Sequence, residues 1–271
     1  MKAPKKPLFK RPAYDRFKKY IGAQSPANGK LPFIHITRGY DFDTIVKGDI
    51  LEPQHCDVFG RNLTYLFYGR PAYRAKDGNN ARMEFEWPII FIIDPDKISH
   101  IENVFPFDTG AFELGLYKGF FDPKSDIMDF ALDPSVDSAR KIVGTFYVSH
   151  EEYYSGLTRK NVELPIRQFE MQGVYELSRL PGVQDGGPTR DERSSAIEIQ
   201  VSKPISLKDA LLAIVLPSPY MGDPDTQAAL ARWGVAEVHD YPTLHNMGGE
   251  AWVGQVYEIV RQLTKRLGFP K

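Results

Sequence analysis

Cysteine occurs once, at Cys56, so no disulfide framework braces this 271-residue chain, and that usage fits a reducing compartment. No window is apolar over the length of a membrane-crossing helix, and the amino-terminal residues lack the apolar core of a secretory signal. The expectation is a cytoplasmic protein with no membrane partner. Internal repeats and long low-complexity tracts are also missing, which excludes solenoid and fibrous classes. Net charge is close to nil, 34 Lys and Arg against 35 Asp and Glu, and this excludes a uniformly basic nucleic-acid-binding domain. Metal-ligand spacing is wanting too. His150-Glu151-Glu152 begins like a zinc-protease helix motif, but Tyr154 stands where the second histidine is required, and His55-Cys56 has no neighbouring partners.

What is present is a core-forming composition, 42% hydrophobic and 25% charged, which is compatible with one large domain or two small ones and here favours one. The charge is unevenly spread. Residues 1–20 hold Lys2, Lys5, Lys6, Lys10, Arg11, Arg16, Lys18 and Lys19 against Asp15 alone, a local +7 that leaves −8 for the remainder. A basic arm over residues 1–30, with Phe9, Tyr14, Phe17 and Tyr20 as stacking groups, could follow a phosphate backbone. The same composition also describes a solubilising tail whose later part docks on the core through those aromatics.

The stretch from Leu31 to Arg74 carries most of the functional signal. Leu31 to Thr37 alternates, so a strand presents Phe33, His35 and Thr37 on one face and Ile34 and Ile36 on the other. A short helix follows, capped by Asp41, with Phe42, Ile45 and Val46 inward and Gly48 ending it. Ile50 to Pro53 turns into a loop, and 55–62 reads as irregular. Leu63 to Tyr68 has the composition of a buried strand. Gly69-Arg70-Pro71 directly after it puts a cation at the strand's mouth, where a phosphate or carboxylate could be held.

Downstream, Ala75 to Met83 reads as a loop, and the unbroken apolar run Pro88 to Ile93 as a strand covered on both faces near the sheet's centre. Val104 to Glu113 reads as an aromatic loop whose Asp108 and Glu113 are candidate site acids, although such loops commonly just pack over a core. Residues 122–161 read as mainly helical, with Asp133-Pro134-Ser135 starting a helix that carries Val136, Ala139, Ile142, Val143 and Phe146 inward. Gly173 to Leu177 is expected as a strand, and Ser178 to Arg193, rich in Gly and Pro, as an irregular loop. In Ser194 to Val201, Ala196, Glu198 and Gln200 alternate with Ile197, Ile199 and Val201, so Glu198 stands on the face opposite three β-branched core residues. A solvent-facing edge strand would give the same pattern. After a short turn or helix at 204–211 come a buried strand, Ala213 to Leu216, a helix at 226–233, a strand at 235–240 and an amphipathic helix from Glu250 to Leu267. His239 and His245 read as surface or loop histidines.

The sequence His35-Ile36-Thr37, a short helix ending near Gly48, the run Leu66-Phe67-Tyr68-Gly69-Arg70-Pro71 and a late strand with Glu198 together resemble the ADP-ribosyltransferase superfamily. Within it the likeness is to the His-Tyr-Glu branch and to the DarT-like toxins that modify DNA. The likeness spans roughly residues 31–216 and rests on three short motifs. It departs at Gly69, where a proline is expected, at Ala72, where methionine is usual, and in the length of 122–161. It implies an α+β fold, a single domain over 31–271 with a split central β-sheet flanked by helices, 122–161 being a helical insertion. It implies NAD as substrate, with His35 and Thr37 fixing the adenosine side, Tyr68 stacking near nicotinamide, Arg70 on the pyrophosphate or assisting the acceptor base, and Glu198 as the catalytic carboxylate. The loop before Glu198 would contact the acceptor. The activity so implied is transfer of ADP-ribose to a macromolecule, nucleic acid foremost, as a bacterial toxin or phage-defence effector with an antitoxin partner. Two other readings of the residues remain open: a non-catalytic nucleic-acid-binding module, and a NAD glycohydrolase that needs no macromolecular acceptor.

Overall fold

The continuous apolar run from Pro88 to Ile93 is buried along its whole length and lies inside the sheet, as its lack of alternation predicts. The computed structural model describes residues 12–72, 84–179, 192–243 and 250–271. In chain order the principal elements are α1 (Arg16–Gly22), β1 (Phe33–Arg38), α2 (Gly39–Gly48), β2 (Ile50–Leu51), β3 (Gln54–Cys56), β4 (Arg61–Tyr68), β5 (Pro88–Ile93) and β6 (Ile101–Phe105). There follow α3 (Thr109–Glu113), α4 (Val136–Phe146), α5 (His150–Tyr154), α6 (Phe169–Ser178), β7 (Glu198–Val201), β8 (Ile205–Ser206), α7 (Leu207–Ala210), β9 (Leu211–Pro217), α8 (Pro224–Trp233), β10 (Glu237–Tyr241) and α9 (Glu250–Arg266).

The main sheet runs β10-β9-β5-β1-β4-β7-β6, with β3 paired to the start of β4. Only β10 and β9 are parallel among these pairs, so the protein is mixed α and β, with one sheet flanked by helices. On one face Phe33, Leu66, Tyr68, Phe91, Ile199 and Ile214 meet the inward residues of α2, α4, α6 and α8. On the other, Ile34, Ile90, Ile92, Ala213 and Val215 are covered by Val256, Val260 and Leu263 of α9. The apolar stripe expected for the last helix therefore finds its partner, and each such fully buried aliphatic side chain contributes about 1.5–3 kcal/mol.

The join between β1 and β4 is the narrowest in the sheet. Their ladder holds at Phe33↔Tyr68 and Ile34↔Phe67 and then ends, although β1 continues to Arg38 on its β5 side and β4 is paired with β7 from Thr64 to Phe67. The sheet is thus one hydrogen-bonded path that parts locally, not two separate sheets.

Several expectations need correction. Residues 173–177 belong to helix α6, not to a strand. Gly173 lies in that helix because an added Cβ would meet the Phe120 carbonyl oxygen and the Phe121 ring at 2.5 Å, so the glycine marks a close helix-to-loop contact. Within 104–113, expected as a loop, Ile101–Phe105 is strand and Thr109–Glu113 a helical turn capped by Asp108, whose side chain accepts from Ala111 N at 2.8 Å. The stretch 55–62 is largely a hairpin, pairing His55 with Asn62 and Cys56 with Arg61. Ile50 and Leu51 pair with β8. Asp41 is not the cap of α2 but lies in its first turn, bonded to Arg38. The helix ends at Gly48 as expected, and the left-handed cap residue after it is Asp49, φ 58°. Asp49 is held there by Arg232 and by Trp233 Nε1 at 2.7 Å, which offsets the strain of a non-glycine residue. In α4 the expected inward set is buried except for Val136, and Ser135 caps it. In the basic arm, residues 1–11 lie outside the described residues. Phe17 and Ile21 of α1 are buried in the core, so Phe17 is not available to stack on bases. The expected loop at 75–83, Arg74, His245 and most of 178–193 also lie outside the described residues.

Gly173→Ala tests the packing of α6. Helix propensity alone favours alanine by about 1 kcal/mol, whereas the clash costs about 1–3 kcal/mol. Thermal unfolding is expected to show a lower Tm, and an unchanged or higher Tm would contradict this placement.

Candidate functional site

Where β1 and β4 part, a cavity of about 770 Å³ opens, within the range of small-molecule sites. One wall is the second half of β1, with His35 and Thr37, together with α2. The other is β4 and β7, with Tyr65, Phe67 and Glu198, and the turn carrying Asp108 and Thr109. Cross-strand register sets the second wall: Tyr65 faces Gln200 and Phe67 faces Glu198, so these four side chains share one side of the β4–β7 pair.

Glu198 lies on the cavity floor and is 1% exposed, between β4 and β6 and not on a solvent-facing edge. Its carboxylate is clamped by three donors: Thr109 N at 2.9 Å, Thr109 Oγ1 at 2.8 Å and Gln200 Nε2 at 2.8 Å. Gln200 is itself steadied by Asn103 Nδ2, which donates to its Oε1 at 3.0 Å. Burial, and secondarily the negative charge of Asp108, push the Glu198 carboxyl up to about 8, against the opposing pull of its donors. Asp108 lies 3.9 Å from Arg193, and both line the cavity. Burial therefore opposes the ionisation of Glu198, while its ionised form has a ready-made set of donors.

His35 Nδ1 lies 2.9 Å from the carbonyl oxygen of Tyr65, across the place where the strands separate. A carbonyl only accepts, so Nδ1 carries the proton and Nε2 is left as an acceptor. Burial holds the imidazole below its ordinary value, which keeps it neutral. Tyr65 donates its hydroxyl to Cys56 Sγ at 2.8 Å, and burial makes that hydroxyl harder to ionise, so it remains a phenol. Thr37 completes the β1 side.

Two sequence-predicted residues are elsewhere. Tyr68 is fully buried in the core that also holds Phe33 and forms no part of the cavity lining. Its hydroxyl accepts from Leu31 N and pairs with His150 Nε2, both at 3.0 Å, and its ring meets Phe33 edge-on. It cannot stack on a ligand in this cavity. Arg70 is also absent from the cavity wall. It is 4% exposed, donates from Nη1 to Ser195 Oγ at 2.5 Å, and has its guanidinium carbon 5.6 Å from the Tyr153 ring centre and 6.0 Å from that of Tyr257. Gly69, at φ +70°, turns the chain inward at this point and takes Arg70 into the protein and not to the strand's mouth.

The residues missed in the sequence are Tyr65, Thr109 and Gln200. Gln200 could have been found from its i, i+2 relation to Glu198 on the same face. Tyr65 and Thr109 depend on register and on a turn that a single sequence does not specify. Asp108 does line the cavity, whereas Glu113 is exposed and outside it. His55 and Cys56 also line it, and among the described residues no group of three metal-ligating side chains converges.

Glu198→Gln is a clean test of this electrostatic picture. A carboxyl raised in the folded state contributes fully below about pH 4.5, and that contribution is lost as pH rises toward about 8. The stability of the glutamine variant relative to the parent, followed by thermal unfolding, is expected to climb across this window by about 1.4 kcal/mol per pH unit at most. A pH-independent difference would contradict a buried, raised carboxyl.

No family model, curated protein or solved structure matches the chain, so the reading of the site rests on its own geometry.

Proposed function

We propose that the protein is a NAD-consuming ADP-ribosyltransferase whose site is the cavity between β1 and β4. The observation that carries the reading is the convergence on one cavity of His35 and Thr37 from its β1 wall and Tyr65 and Glu198 from its β4–β7 wall, an imidazole, a hydroxyl, a phenol ring and a buried carboxyl from the three segments that resemble the family. The resemblance is amended in two places: Tyr65 replaces Tyr68 as the aromatic group, and Arg193 replaces Arg70 as the cation beside the cavity.

The chemistry follows from the donor set. Breaking the bond between nicotinamide and ribose moves positive charge from the pyridinium ring onto the sugar, while nicotinamide leaves neutral with the bonding electron pair. A carboxylate fixed by three donors in a water-poor floor opposes that growing charge without having to reorganise. The bare Nε2 of His35 accepts from a ribose hydroxyl, and Tyr65 and Phe67 offer apolar ring surface. The approach of a pyridinium cation favours the ionised form of Glu198, so NAD binding is coupled to loss of its proton.

The lining also bears on the acceptor. Asp41, Glu52 and Asp108 stand against one cation, Arg193, among the described lining residues. Arg193 is then the one counter-charge among them for the NAD diphosphate and leaves none for a phosphodiester, so a nucleic-acid acceptor would present a base to the site. Toxin or defence activity and an antitoxin partner belong to this reading only through the family likeness.

The test is incubation with NAD labelled in the adenylate half, alone and with DNA, RNA or cell protein, following nicotinamide release and the fate of the label. Release is expected to fall at least about a hundredfold in Glu198→Gln, as for loss of a main electrostatic group, and to rise with pH through the window in which Glu198 ionises. Label is expected on a nucleic-acid acceptor. Release without transfer to any acceptor would favour the glycohydrolase reading, and absence of both release and NAD binding would overturn the proposal.

A further inference from the structure

We infer that a second cavity, between residues 25–28, the start of α5 and the last turns of α9, binds a small organic phosphate with a ring-sized apolar body. This inference does not depend on the NAD reading. The cavity measures about 520 Å³ and lies apart from the first, sharing no lining residue with it.

Its polar side is cationic. Arg159, Arg261 and Lys265 line it against one acid, Glu151. Glu151 now bridges the pair, with Arg261 Nη1 at 3.2 Å and Lys265 Nζ at 3.0 Å, while Arg261 also holds Glu258 at 2.8 Å. All of these side chains are partly exposed, at the mouth, so the bridge is weakly held and an incoming dianion can compete for it. Arg159 is oriented by Nε, which donates to the Tyr147 carbonyl at 2.9 Å.

A second, independent feature lies in the wall. Thr264 lines the cavity, is 4% exposed, and its Oγ1 has no hydrogen-bond partner. A buried hydroxyl left unpaired costs stability, and a turn about its χ1 would bring it to the cavity, where a ligand oxygen would satisfy it. The remaining wall is apolar, with Leu31, Tyr154, Phe269 and Pro270. Rings and prolines beside a cationic mouth select an amphipathic anion over free phosphate. His150 is not offered to the ligand, since its Nε2 is committed to the Tyr68 hydroxyl at 3.0 Å.

Phenyl phosphate is the probe, titrated calorimetrically into the intact chain alongside phenol and inorganic phosphate. Phenyl phosphate is expected to bind more tightly than either half. Lys265→Ala is expected to weaken it about tenfold or more, and Glu151→Gln to tighten it by removing the competing carboxylate. Thr264→Val is expected to weaken binding about threefold to tenfold while leaving Tm unchanged or higher, because the hydroxyl has no partner to lose. Glu198→Gln, in the first cavity, is expected to leave binding unchanged. Equal binding of inorganic phosphate, insensitivity to Lys265→Ala and Thr264→Val, or no binding at all would overturn the inference.

Discussion

The ladder between β1 and β4 stops after two residue pairs, and the site depends on that early stop. Had the strands stayed paired, the Tyr65 carbonyl would be engaged in the ladder and His35 would have no gap to cross. Because they part, the imidazole takes the place of the missing ladder bond and a cavity forms beside it. Glu198 is held at the base of this opening by the backbone and hydroxyl of Thr109 and by Gln200, so the least comfortable group in the sheet is also among the most firmly positioned.

Burying a carboxyl there is costly, and the cost appears as an ionisation pushed upward by burial and by Asp108, against the pull of the donors on Thr109 and Gln200. Arg70 presents a different solution to a similar problem. It is buried with one hydroxyl acceptor and the faces of two tyrosines. Through Ser195 it ties the end of β4 to the segment that enters β7, and Tyr153 reinforces the tie, donating to the Tyr68 carbonyl at 2.9 Å and accepting from Ile197 N at 3.1 Å. The residues that resemble a family motif around Tyr68 and Arg70 thus brace the strand that carries Glu198 instead of facing a ligand.

Much of the fold was legible because burial demands periodicity. The central strand at 88–93, the alternation around Glu198 and the stripe of α9 each follow from which faces need cover. Failures occurred where local composition fits two states. Gly173 to Leu177 is apolar enough for a strand, and only the contact of Gly173 with Phe120 and Phe121 explains a glycine in that helix. Leu63 to Tyr68 is apolar on both faces, so the sequence could not tell which tyrosine faces the gap; register beside Gln200 puts Tyr65 in the cavity, whereas Tyr68 is held in the core by Leu31 N and His150. His35, Thr37 and Glu198 were found because polar residues interrupt otherwise regular apolar patterns. Thr109 was hidden in a run whose cap, Asp108, forms only when the chain turns against β7.

The central claim is that a buried carboxyl at position 198 senses a cation placed in the cavity between β1 and β4. Its most direct measurement is a ¹³C NMR titration of glutamate side-chain carboxyl carbons, with the resonance assigned by its loss in Glu198→Gln, carried out without and with NAD. The account predicts one glutamate that titrates near 8 in the free protein and moves to lower pH when NAD is bound. A Glu198 resonance that titrates with the other glutamates, or that is indifferent to NAD, would contradict it.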